Sequence, residues 1–198
     1  MRIFDGPPGS TPLTPDEQEG LIPTWIANRG DLNRAEQENI ASATVWVGGR
    51  RWTVDDVTVK WLRDLHHRML SEVWDWAGNY RRREVNIGGR VAPRQIPEAA
   101  ESLVRDMHAQ VGVLPRDEVA VRFHHRLVSI HPFPNGNGRH SRLVADVLVE
   151  ALGGARFAWG DGTLTDSGEI RTMYTSALQQ ADEGDPGPLV AFARSSGP

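Results

Sequence analysis

The chain has 198 residues, 39% hydrophobic and 24% charged, with a net charge of −4 at neutral pH, enough sequence to fill one core of ordinary globular composition. That acidic balance argues against a protein whose main work is gripping nucleic acid through its phosphates. Cysteine is absent, which excludes disulfides, thiolate metal sites and a cysteine nucleophile.

Residues 1–15, rich in Pro, Gly, Ser and Thr, read as an extended arm. They lack the charged-then-apolar layout of a signal peptide, and no apolar run approaches the ~20 residues that span a bilayer, so a cytoplasmic location without membrane partners is expected. Helical patterning begins at Pro15-Asp16-Glu17, with Thr14 as N-cap ahead of a proline at the first helical position. It carries Leu21, Ile22, Trp25 and Ile26 to a glycine cap at Asn28-Arg29-Gly30. A second helix over 33–46 presents Ala35, Ile40, Ala43 and Trp46. Thr53 before Asp55 and Asp56 then marks the start of a third, over 54–72, with Val57, Trp61, Leu65 and Met69 on one face. The aromatic segment WDWAGNY follows. RRREVNIGGRVAPRQI alternates, pivots on Gly88-Gly89 and suggests a short hairpin over 83–92. Helices over 97–112, over RDEVAVRFHHRLVSI and over 166–182 complete the chain, with a short piece at 188–194. The expected class is mainly α, seven or eight helices with one hairpin, divided into an N-terminal arm and helices over 1–50 and a main domain over 51–198.

The most informative stretch is His131-Pro132-Phe133-Pro134-Asn135-Gly136-Asn137-Gly138-Arg139-His140-Ser141-Arg142. A helix ends before it, and LVADVLVEAL, apolar nearly all round, reads as a buried helix that begins inside it. Glycines 136 and 138 permit a tight turn with bare N–H groups. The unpaired amides and positive dipole end of the following helix complete an anion cradle. Arg139 and Arg142, three residues apart, lie on one side of its first turn and suit phosphate oxygens. Arg142 also stands four residues before Asp146, the spacing of an intrahelical ion pair. A histidine at the lip of such a cradle can take a proton from an incoming hydroxyl. A metal-hydrolase reading of the other histidines is weak. His66-His67 and His124-His125 are adjacent pairs that face apart on a helix, and no His-Glu-x-x-His occurs.

These residues resemble the signature of the Fic family, His-x-Phe-x-(Asp/Glu)-Gly-Asn-Gly-Arg-x-x-Arg, at seven of its eight fixed positions. The opening of the chain and WDWAGNYRRREVNIGG look like the subgroup called mobile mystery protein B. The resemblance implies a Fic-type helical bundle and a protein adenylyltransferase, which transfers AMP from ATP to a Ser, Thr or Tyr hydroxyl of a target protein. It implies His131 as general base, the backbone of Gly136, Asn137 and Gly138 with Arg139 and Arg142 as the phosphate site, and position 135 as ligand to Mg²⁺ or Mn²⁺. Asn135 stands where the family carries an acid. That leaves open a transferase of weaker metal affinity, a slower one, or a nucleotide- and partner-binding module of a toxin–antitoxin-like system without turnover. The intact Gly136-Asn137-Gly138-Arg139 pattern favours nucleotidyl over phosphoryl transfer. Glu84, Val85, Asn86 and Ile87 fall where the family has a flap that docks the target by strand addition. An inhibitory helix of pattern (Ser/Thr)-x-x-x-Glu-(Gly/Asn) is matched in part at Glu38-Asn39 and at Glu19-Gly20. Glu38, on a patterned helix, is the expected inhibitory residue, paired with Arg142. A small regulatory partner or a homo-oligomer is also compatible with the resemblance.

Overall fold

The computed structural model describes residues 19–84, 90–161 and 169–196. Among them the chain forms seven α-helices: α1 Arg29–Gly48, α2 Val59–Leu70, α3 Ile96–Gln110, α4 Arg116–Ile130, α5 Asn137–Ala151, α6 Glu169–Asp182 and α7 Gly187–Arg194. Three single 3-10 turns join them. Helices α4 and α5 form the central pair; α1 lies on α2, α3 on α4, and α6 on α7. Every residue of α5 from Leu143 to Val149 is buried, as its all-round apolar sequence requires, and Phe123, Leu127 and Ile130 of α4 face it in the core. Each such side chain contributes about 1.5–3 kcal/mol on burial. No described helix is long and apolar enough to cross a membrane.

The helix expected to follow Pro15 is absent over 19–28. Here the backbone pairs elsewhere: the Ile22 N–H donates to the Val73 carbonyl at 2.9 Å and the Asp75 N–H to the Gly20 carbonyl at 2.9 Å. Leu21 and Trp74 form one antiparallel bridge, and Pro23 lacks the N–H a helix would use. Ile22 and Trp25 stay largely exposed. Asn28 therefore ends no helix. Its side chain accepts the Asp31 N–H and caps the N-terminus of α1. Thr53 does mark a start, closing a capping box with Asp56, but only a 3-10 turn follows. The chain restarts at Thr58, which caps α2. Of the expected hairpin, Val85, Asn86, Ile87, Gly88 and Gly89 lie outside the described residues. Its flanks are not strands, and the Arg90 N–H donates to the Ser129 carbonyl at the end of α4, at 3.1 Å. Glu84 is exposed.

Candidate active site

Helix α4 closes on the His131 N–H, which donates to the Leu127 carbonyl at 3.1 Å, and His131 itself is left-handed (φ 50°, ψ 61°). A non-glycine residue held there stores about 1–3 kcal/mol and persists only where its surroundings impose it. The ring is half-buried, and its Nδ1 lies buried without a hydrogen bond of good geometry. Burial first, then the charge of Arg81, lower the imidazole pKa from its ordinary 6.5, with the Val128 carbonyl opposing. The ring is thus a neutral base at physiological pH.

The loop beyond it is braced from below. Buried Asn137 accepts the Phe133 N–H at 2.9 Å through Oδ1 and donates from Nδ2 to the Phe133 carbonyl at 2.8 Å. Phe133 is fully buried and stacks on His66, with ring centroids 3.7 Å apart. His66 Nδ1 accepts the Gly78 N–H at 3.0 Å, so the Nε2 proton goes to the Asn135 carbonyl, also 3.0 Å away. Burial above all keeps this imidazole neutral, its pKa held well below the ordinary value. Gly136 turns the chain at φ 77°. A β-carbon there would come within 2.7 Å of Leu70 Cδ1 and 3.4 Å of His66 Nε2. Gly138 differs: its nearest neighbour would be Arg142 Nη1 at 3.8 Å. Packing demands glycine at 136, whereas at 138 glycine leaves an open face beside an arginine.

Helix α5 begins with no side-chain cap, so the N–H groups of Asn137, Gly138 and Arg139 lack intrahelical acceptors and converge with the dipole on one spot. The Gly136 N–H is not among them. It donates to Asn135 Oδ1 at 2.7 Å. Arg142 is largely buried, and its guanidinium lies 5.9 Å from the Tyr174 ring centroid. Asp146 does not take it: its Oδ1 accepts the Trp159 indole N–H at 2.9 Å, and burial pushes this carboxyl up to about 6. Arg139, a quarter exposed, forms an ion pair with Glu36 of α1, Nη2 to Oε2, at 2.8 Å. Glu36 Oε1 accepts the Trp74 indole N–H at 2.8 Å. The glutamate that reaches the loop is thus Glu36. Glu38, two residues and about 200° further round the helix, is exposed.

Among the described residues, side chains alone do not make a resident cation site. No three His, Cys, Asp or Glu side chains converge on a common point among the described residues. Asn135 is neutral, and its Oδ1 is engaged by the Gly136 amide.

Sequence reasoning overlooked Glu36, Trp74, His66 and Arg81. Glu36 and His66 each carried a faint signal, being polar residues at core-facing positions of patterned helices. The adjacency of His66 to His67 predicted that the two face apart, and they do: His66 is buried and His67 exposed.

A model of the Fic/DOC family matches residues 56–149. "Protein adenylyltransferase Fic" of Drosophila melanogaster is 32% identical over 143 residues, covering 69% of this chain and 27% of that protein. Its namesake in Aedes aegypti is 32% identical over 144 residues, 70% and 27% of the two chains. The chain thus matches about a quarter of the length of these curated relatives. Among solved structures, the BepC protein of Bartonella tribocorum with bound AMPPNP superposes with a TM-score of 0.67 at 17% identity, over 89% of this chain and 95% of that one. Fic-1 (residues 134–508) of C. elegans does so with a TM-score of 0.67 at 22% identity, over 89% and 51%. At these identities the structures speak for the fold.

Proposed function

Residues 56–149 of this chain are a Fic/DOC family domain, and on that premise we propose that it is a protein adenylyltransferase, moving AMP from ATP to a hydroxyl side chain of a target protein. One observation carries this reading. In the turn from α4 into α5 a neutral imidazole, His131, precedes a first helical turn whose amides at Asn137, Gly138 and Arg139 carry no side-chain cap, and that turn bears Arg142 and, held by Glu36, Arg139. The amides and arginines hold the polyphosphate and take up charge developing on it, which is most of what phosphoryl chemistry asks of a protein. The target's Ser, Thr or Tyr oxygen attacks the α-phosphorus and its proton passes to His131. The bond from that phosphorus to the β-phosphate oxygen breaks, and pyrophosphate leaves.

In this reading α1 restrains the site through Glu36, which neutralises Arg139 and competes with phosphate for it. The resemblance of WDWAGNYRRREVNIGG to the mobile mystery protein B subgroup and a flap role around Glu84 belong to the same proposal. A module that binds nucleotide without turnover draws support from Asn135 alone, whose amide offers a divalent ion no charge.

Incubation of the purified chain with ATP labelled at the α- or the γ-phosphate, with Mg²⁺ or Mn²⁺, separates the readings. Protein-bound label from the α-position, lost in His131→Ala, is expected. Label from the γ-position would indicate a kinase. ATP binding without label from either would leave the module.

A further inference from the structure

Arg81 belongs to a run of three arginines of which Arg82 and Arg83 are exposed, yet its own side chain is only 2% exposed. Its guanidinium is spent on backbone carbonyls. Nε donates to His131 at 2.7 Å and Nη1 to Arg83 at 2.9 Å. Nη2 donates to Val91 at 2.5 Å and, more weakly, to Ile130 at 3.5 Å. Its own N–H donates to the Pro132 carbonyl at 2.9 Å. The Glu84 carboxylate, 3.7 Å from Nη1 and well exposed, adds little.

Three of these carbonyls, on Ile130, His131 and Pro132, belong to the turn that ends α4. The other two, on Arg83 and Val91, stand one on each side of residues 85–89. A helix end leaves its last carbonyls unpaired at the negative pole of its dipole, and a planar fork of five N–H donors answers several at once. Lysine, with three donors on one point charge, does not. A buried arginine that served only to fill space would be outdone by a hydrocarbon with no charge to desolvate.

We infer that Arg81 is a positioning residue of this site: it imposes the left-handed turn at His131 and ties the two flanks at Arg83 and Val91 to that turn, so that base and flanks are held as one piece. The inference rests on His131 being the base, and it adds a residue that never touches the nucleotide. The strain at His131 needs an outside restraint, and the bond from Arg81 Nε to its carbonyl supplies one. The Arg90 N–H on the Ser129 carbonyl reinforces the tie from the second flank.

Arg81→Lys keeps the charge and most of the volume while losing the fork. Its kcat for α-label transfer is expected to fall about 100-fold, the scale of a misplacement near 1 Å. The KM for ATP and the acid limb of the pH profile should stay in place, because the phosphate site and the charge beside the imidazole are retained. In hydrogen exchange, the His131 and Arg90 amides should speed up together while those of α2 and α5 keep wild-type rates. Wild-type kcat in the variant, or exchange that rises evenly across the chain, overturns the inference. If the unmodified chain transfers no label, the adenylyltransferase reading fails by itself, and the exchange pattern alone judges Arg81. Should the lysine variant not be recovered folded, Arg81→Gln is read by kcat and the exchange pattern, while its lost charge lets the acid limb move up.

Discussion

Glu36 Oε2 lies 2.8 Å from Arg139 Nη2 while its Oε1 accepts a hydrogen bond from the Trp74 indole N–H, so one carboxylate joins the N-terminal helix, the aromatic core and the first arginine of the anion loop. Glu36→Gln keeps the bond from Trp74 and frees the charge of Arg139. Nucleotide affinity should rise by about tenfold, equivalent to 1.4 kcal/mol, and self-labelling with it. Thermal stability should drop, because one partner of a largely buried pair has gone. Titration calorimetry with ATP and a labelling gel check this. Unchanged affinity would mean that Glu36 merely aims Arg139. Glu38→Gly, by contrast, alters an exposed side chain and should leave both readouts within about twofold.

At position 135 the family pattern has an acid and this chain an amide. Asn135→Asp gives a hard divalent cation an anionic oxygen beside the phosphates, so Mg²⁺-dependent transfer should increase and reach half its maximum at lower Mg²⁺. Equal or lower transfer at every Mg²⁺ concentration would count against an impaired metal site as the meaning of this residue.

Helix α5 and its loop were legible because two independent patterns agreed there: an apolar run too continuous for a surface helix, and glycines flanked by arginines at its start. The segment around residues 19–28 was misread because its apolar spacing suits a helix, while its backbone donors and acceptors are taken by Val73 and Asp75. That pairing partner is some fifty residues away, and no local pattern announces it. Glu36 and Glu38 illustrate the same limit within one helix. A motif selected the second, but helical phase places the first against the loop, and phase is decided by Leu32, Ala35 and Asn39 packing inward. Arg81 was hidden by its neighbours, since a run of arginines reads as a solvated face whichever member turns inward.

The two loop glycines should answer differently to alanine. Gly136→Ala meets both a left-handed backbone and Leu70 Cδ1, a loss of about 2–4 kcal/mol in stability. Gly138→Ala meets no crowding and sits in a first helical turn, so stability should hold or improve slightly. Its methyl group would stand on the open face of the loop, and ATP affinity should fall about tenfold. Denaturant melts and ATP titrations of the two variants separate a packing glycine from a binding one. Equal effects on both quantities would erase that distinction.

The acid limb of the rate profile should lie below pH 6.5. The base works only when neutral, and burial together with Arg81 lowers the His131 pKa, so the neutral ring persists to lower pH than a free histidine would allow. A profile of kcat against pH, run with an exposed-histidine control such as His108→Gln, reads this directly. An acid limb above 6.5 would place the catalytic base elsewhere.

Stability against pH depends on every buried group that titrates differently in the unfolded chain; His66 and His131 are lowered by burial, and three further groups, His124, His140 and Asp146, pull in opposite directions. His124 falls to about 3 and His140 to about 4, each chiefly through burial. Below the ordinary histidine value of 6.5 the unfolded chain therefore binds protons that the native chain refuses, and stability is lost as pH falls toward 4. Asp146 runs the other way. Burial raises it from 3.8 to about 6, so between those values the native chain holds a proton that the unfolded one has released, and stability falls as pH rises. Near pH 5 the two histidines outweigh the one carboxyl, leaving a net loss of about 1.4 kcal/mol per unit of acidification from these groups. Asp146→Asn removes the opposing proton while keeping an acceptor for the Trp159 indole, so the decline between pH 6 and 4 should steepen by about the same amount. Urea unfolding of the wild type and this variant at half-unit steps measures both slopes. Parallel curves would show that Asp146 is already ionised throughout that range.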